Sequence, residues 1–183
     1  TSRLNVTLSE QVWDDYRNDP FHLQRKWYVS ALCAYGLFAG MPTYATARKQ
    51  DDETVLWPCF MRTAVVNVIK TTGGTTTTDS DLYRLAPRHW PHVEKQLRAL
   101  SPHVVICCGT FGVAVNQLPR GSAESVEALT TGWFWALRGT LFVKALHPQR
   151  GSFKVAYDEV CRAVQDATEA REDRAWWRAL RAR

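Results

Sequence analysis

The residues of this chain best suited to chemistry are a histidine, an asparagine and a glycine turn, each beside an apolar run. His147 closes TLFVKAL (140–146) and is followed by Pro148. Proline cannot donate to a sheet ladder, so a strand must stop there and deliver the imidazole to its carboxyl end, the edge where open α/β sheets gather ligands. A histidine so placed either merely caps the strand or acts in a cleft. Asn67 interrupts TAVVNVI (63–69), which reads as a parallel strand covered on both faces. A buried amide needs partners for its donors and its acceptor, so it either fixes a neighbouring loop or faces a ligand with a matching edge. Gly109 and Thr110 follow VVICC (104–108). Glycine allows a tight strand-to-helix turn, threonine can cap the helix, and the free N–H groups there suit an anion, although a well-capped helix accounts for the same residues.

Around these positions lie polar and basic segments. Gln149, Arg150 and Ser152 follow His147, and Lys70 opens KTTGGTTTTDSD (70–81), a Gly/Thr-rich loop able to approach a phosphate backbone. That loop has no GxGxxG or GxxxxGK[ST] pattern, which argues against a nucleotide-binding loop. Asp51, Asp52 and Glu53 form an acidic cluster best read as a solvated loop.

The elements that must position these residues follow from periodicity. Residues 8–40 carry apolar side chains at helical spacing, broken at Pro20, and residues 41–58 read as a polar loop. A helix is expected over 81–100, in two pieces around Pro87 and Pro91, with Val93, Leu97 and Leu100 on one face. VVICC is a second buried strand. Residues 119–132 form a polar connection, and GWFWALRGTLFVKAL (132–146) splits at Arg138-Gly139 into a hairpin. Residues 152–183 read as a long helix with an Arg-rich end around Trp176 and Trp177. Helix, strand, helix, strand, helix, hairpin, helix is the order of a three-layer α/β/α sandwich with a mostly parallel central sheet, in which Asn67, Gly109 and His147 converge from different strand ends.

Composition bounds the function. A chain of 183 residues supports one domain that buries roughly 70% of its unfolded surface, without help from disulfides or metals. Hydrophobic content of 45% with eight Trp excludes a disordered chain, and no apolar run reaches the ~18 residues of a membrane span. The expectation is a monomer without membrane contact. A formal charge of +5 suits a polyanionic partner. The five cysteines are an odd number without a CxxC pair, which points to a reducing cytoplasm and away from a zinc or iron–sulfur site.

Taken in order, these features resemble the uracil-DNA glycosylase superfamily. AVVNVIKT (64–71) is similar to that family's base-reading strand, LRALSPHVVICCGTFGVAV (97–115) to its middle strand and turn, and KALHPQRGSF (144–153) to its His-Pro-Ser loop, with Gln149 in place of serine. The resemblance covers residues 60–165 and rests on order and spacing. It implies an enzyme that flips a base out of DNA, reads its edge and cleaves the N-glycosidic bond by hydrolysis, without cofactor or metal. By the same resemblance Asn67 reads the base, and His147 acts as an electrophile that stabilises negative charge on the departing pyrimidine. Gly109, Thr110, Lys70, Gln149, Arg150 and Ser152 meet DNA. DDYRNDPF (14–21) is similar to an acidic-then-Pro-Phe segment of some branches, making Phe21 a stacking residue and Asp15 a remote candidate for holding the attacking water. GMPTY (40–44) lies too close to Asn67 and lacks the acid of the family's first motif, so either that motif precedes Thr1 or the chain is a divergent or inactive member. Thr71 and His89 stand near the places where iron–sulfur branches carry cysteine. Uracil is the default base, and a bulky modified cytosine of phage DNA is the alternative. A non-catalytic DNA-binding module of the same fold and an unrelated α/β enzyme acting on a small nucleotide or nucleoside are the competing classes.

Overall fold

The computed structural model describes residues 22–68, 78–118, 131–137, 139–147 and 152–170. It is a mixed α/β structure, and among the described residues six α-helices accompany a small three-stranded sheet. Helix α1 spans His22–Ala39, α2 Tyr44–Ala47, α3 Trp57–Met61 and α4 Asp79–Leu100. Strand β1 (Val104–Cys108) leads into α5 (Phe111–Gln117), the hairpin β2 (Trp133–Ala136) and β3 (Thr140–Ala145) follows, and α6 covers Phe153–Ala170. The Cα positions group into two compact units: residues 1–64, 146–161 and 175–183 in one, 65–145 and 162–174 in the other.

The second unit holds the sheet, ordered β1-β3-β2. β1 runs parallel to β3, with Cys108 opposite Ala145, whereas β2 is antiparallel to it. The described sheet is therefore small and mixed. The physical reason is the hairpin. A short turn can only return the chain antiparallel, and this turn closes with Gly139 at φ 102° and its N–H donating to the Ala136 carbonyl. Phe134 and Phe142 face each other across the pairing and stack at 4.9 Å, with Phe111 against Phe134 edge-on at 5.5 Å. Ala86, Trp90, Val93 and Leu97 of α4 complete this core together with Cys107, Val113 and Val115.

Two expectations are corrected in this unit. Residues 63–68 form no strand: Val66 and Val68 pack against the core, while Val65 and Asn67 are exposed. The alternation of sides is that of a half-covered segment, not of a strand covered on both faces. Helix α4 is also continuous through Pro87 and Pro91. Each proline removes one helical N–H, and the carbonyls so freed belong to Tyr83 and Pro87, both exposed residues that water can satisfy. Thr78 starts the helix, its hydroxyl accepting from the Asp81 N–H at 3.1 Å and donating to the Asp81 carboxylate at 2.7 Å.

The first unit has its own core of Trp27, Ala31, Leu32, Ala47, Leu56, Phe60 and Tyr157. Residues 41–58, expected as a loop, instead contribute α2, a π-helical turn over Asp52–Leu56 and the start of α3. Asp51 explains part of the difference, because its carboxylate accepts from both the N–H and the hydroxyl of Thr54, at 2.7 and 2.8 Å, and caps the turn. Leu56 and Phe60 then have an apolar surface to bury against. Trp27 and Trp57 both contact Phe60, with ring centroids 5.5 and 5.0 Å away.

Candidate functional site

The best-defined feature at a strand end is the Gly109 turn. Gly109 adopts φ 71°, which a residue with a Cβ rarely takes, and so reverses the chain directly after β1. Its N–H donates to the carbonyl of Ala145 at 3.0 Å, extending the parallel ladder one residue beyond Cys108 and tying the carboxyl ends of β1 and β3 together. His147 follows Ala145 by two residues. It is half-buried and engaged by another group of the chain.

Thr110 stands at the N-cap position of α5, but its side chain makes no capping hydrogen bond. The hydroxyl turns instead to Cys107. Burial pushes the Cys107 thiol far up, the adjacent Cys108 adds to the rise, and the Thr110 hydrogen bond opposes it. Cys107 is thus an inert core thiol at neutral pH. Ser152 serves as the start of α6: its hydroxyl accepts from the Lys154 N–H at 3.2 Å and its carbonyl from the Ala156 N–H at 3.1 Å.

Asn67 is exposed and has no hydrogen-bond partner among the described residues, so it is not the buried amide its apolar neighbours imply. Asn67, Gly109 and Thr110 belong to the second unit, His147 and Ser152 to the first. Asp15, Phe21, Lys70, Gln149 and Arg150 lie outside the described residues. None of the five cysteines is in a disulfide. Among the described residues no group of three His, Cys, Asp or Glu is placed to hold a metal ion, and no helix is long and apolar enough to cross a membrane.

A further feature lies outside those motifs, on α4. Arg88, His89, His92, Lys95, Gln96 and Ala99 of α4 line an open groove of about 730 Å³. Residues 88, 92 and 95 have the i, i+4, i+7 spacing of a single helix face, a signal that is legible in the sequence only if the helix runs unbroken through Pro91.

Comparison with protein-family models, with curated proteins and with solved structures finds no match to this chain.

Proposed function

We propose that this protein is a monofunctional DNA glycosylase, which flips a uracil-like or modified pyrimidine out of DNA and hydrolyses its N-glycosidic bond. The observation that carries the reading is the Gly109 N–H bond to Ala145, which joins the carboxyl ends of two parallel strands just before His147. Carboxyl ends of parallel strands are where α/β sheets bind ligands, and Gly109, exposed and without a Cβ, lets a DNA phosphate approach the backbone closely. In this reading the β1–β3 pair belongs to a three-layer α/β/α sandwich with a mostly parallel sheet, as in the uracil-DNA glycosylase superfamily.

The chemistry assigned to each residue follows from its groups. The carboxamide of Asn67 offers a donor and an acceptor to one base edge, and its exposure leaves both available. Breaking the C1′–N1 bond leaves the electron pair on the base, delocalised toward the pyrimidine O2. A His147 N–H directed at that oxygen lowers the energy of the departing anion, and water adds its hydroxyl to C1′ to complete the abasic sugar while its remaining proton neutralises the released base. Asp15 is the candidate for holding that water, and Phe21 for stacking on the base.

The test is a panel of duplexes, each carrying one modified pyrimidine, scored for alkali-labile strand breaks. The expected result is cleavage at a uracil-like or modified cytosine position, with Asn67→Ala and His147→Ala each slowing single-turnover excision by ~100-fold or more. Equal rates for wild type and both variants would refute the assignment. DNA binding without an abasic product on any duplex would leave a non-catalytic module of the same fold.

A further inference from the structure

The groove along α4 is lined by cations and hydrogen-bond donors with no carboxylate among its described residues: Arg88, His89, His92, Lys95 and Gln96, with Ala99 at one end. Other charges on the same helix are neutralised locally. Arg84 pairs with Asp81 at 3.0 Å, and Arg98 pairs with Glu94. Arg88 and Lys95 have no such partner among the described residues, although both are exposed and long enough to reach one. His92 is exposed between them, and His89 is buried at the groove wall with 7% of its surface accessible. An ordinary solvated helix face intersperses its signs, as α4 does at Asp81, Arg84, Glu94 and Arg98. From Arg88 to Ala99 the groove face does not.

We propose that the α4 groove is a second nucleic-acid contact, in which Arg88, His92 and Lys95 hold the phosphodiester backbone of DNA. The choice of DNA as the polyanion rests on the glycosylase reading above. The spacing fits that partner. Residues 88 and 95 are separated along the axis by about 10 Å at ~1.5 Å per residue, the length of about three nucleotides of one strand at ~3.4 Å each. The contact reads no base: point charges and flexible stems position a backbone, and the interaction weakens with salt through counterion release. Its role is to hold the enzyme on undamaged DNA while the strand-end site samples bases.

The test uses the full chain and a fluorescein-labelled undamaged duplex, with anisotropy titrations over a series of KCl concentrations. Arg88→Gln/Lys95→Gln is expected to weaken binding by about 10-fold or more near ~0.1 M salt, and to reduce the slope of log K against log salt by about 2. Arg84→Gln/Arg98→Gln removes the same formal charge from the same helix, from arginines already paired, and is expected to change binding by less than about 3-fold. Arg88→Lys/Lys95→Arg keeps the charge and retains binding. Unchanged affinity in Arg88→Gln/Lys95→Gln, or equal losses in both neutralised variants, would overturn the proposal. So would tighter binding of an RNA of the same sequence through the same residues. The two readings fail separately: loss of binding in Arg88→Gln/Lys95→Gln with no abasic product from any duplex keeps the groove and sinks the glycosylase, whereas excision by an enzyme whose binding ignores these residues does the reverse.

Discussion

Replacing Gly36 by alanine sets two terms of known sign against each other. Gly36 lies in α1, where glycine is disfavoured, and alanine there contributes up to about 1 kcal/mol of stability through helix propensity alone. The added Cβ, however, would stand 2.8 Å from Tyr157 Cε2, 3.0 Å from its hydroxyl oxygen and 3.2 Å from Cζ. Tyr157 has little room to yield. It is 1% exposed, its hydroxyl donates to the Pro42 carbonyl at 2.6 Å, and its ring meets Tyr44 with centroids 5.9 Å apart. Overpacking of this kind costs about 2–3 kcal/mol when the neighbour is pinned. The net expectation is a loss of about 1–2 kcal/mol, equivalent to a fall in Tm of roughly 3–6 °C for a chain of this size. Urea unfolding followed by tryptophan fluorescence measures it, since Trp27 sits in the same core. In a Tyr157→Leu background the obstructing ring is gone and the same substitution should stabilise, by up to about 1 kcal/mol. If Gly36→Ala raised the stability of the otherwise unchanged protein, the reasoning about a pinned Tyr157 would be wrong.

Gly112 provides the contrast. A Cβ there would meet Tyr83 Oη at 2.2 Å, but Tyr83 is 49% exposed and its far end can swing into solvent. Gly112→Ala should therefore leave the urea midpoint unchanged or raise it slightly, by up to about 1 kcal/mol, and a loss as large as that of Gly36→Ala would contradict this. At alkaline pH the Cys161 thiol should govern part of the stability. Burial, opposed by a hydrogen bond with Tyr157 and reinforced by Asp158, pushes its pKa from 9.0 up to about 11. A folded-state pKa above the unfolded value means stability that is whole below the unfolded pKa of 9.0 and is lost as the pH rises through about 11. Cys161→Ala should flatten the fall in stability over that window, and an unaltered profile would assign the loss to other groups.

Much of the local structure is legible in the residues. VVICC, the hairpin split at Arg138-Gly139, the Gly109 turn and the helix before Ser101 all depend on short-range steric rules: β-branching, glycine at positive φ and helical periodicity. Failures arise where burial decides. Apolar character at 63–69 implies a strand covered on both sides, yet among residues 63–68 only Val66 and Val68 find the core, and Asn67 is left exposed. Proline implies a broken helix at 87 and 91, yet both prolines fall on the exposed face of α4, where water takes over the lost bonds. The polar composition of 41–58 conceals Leu56, whose burial beside Phe60 draws the segment into helical turns.

The sequence by itself determined where β1 ends and that the backbone turns left-handed at Gly109 and Gly139, because those constraints act within a few residues. It also placed a histidine just beyond the last strand. Only the tertiary structure decided that β1 and β3 lie side by side and parallel, with Gly109 bonded to Ala145, since that pairing spans more than thirty residues and depends on which apolar faces find each other. The spacing of Arg88, His92 and Lys95 is again local, since a continuous helix is enough to put them on one face, and it was the exposure of Pro87 and Pro91 that let α4 run unbroken through them.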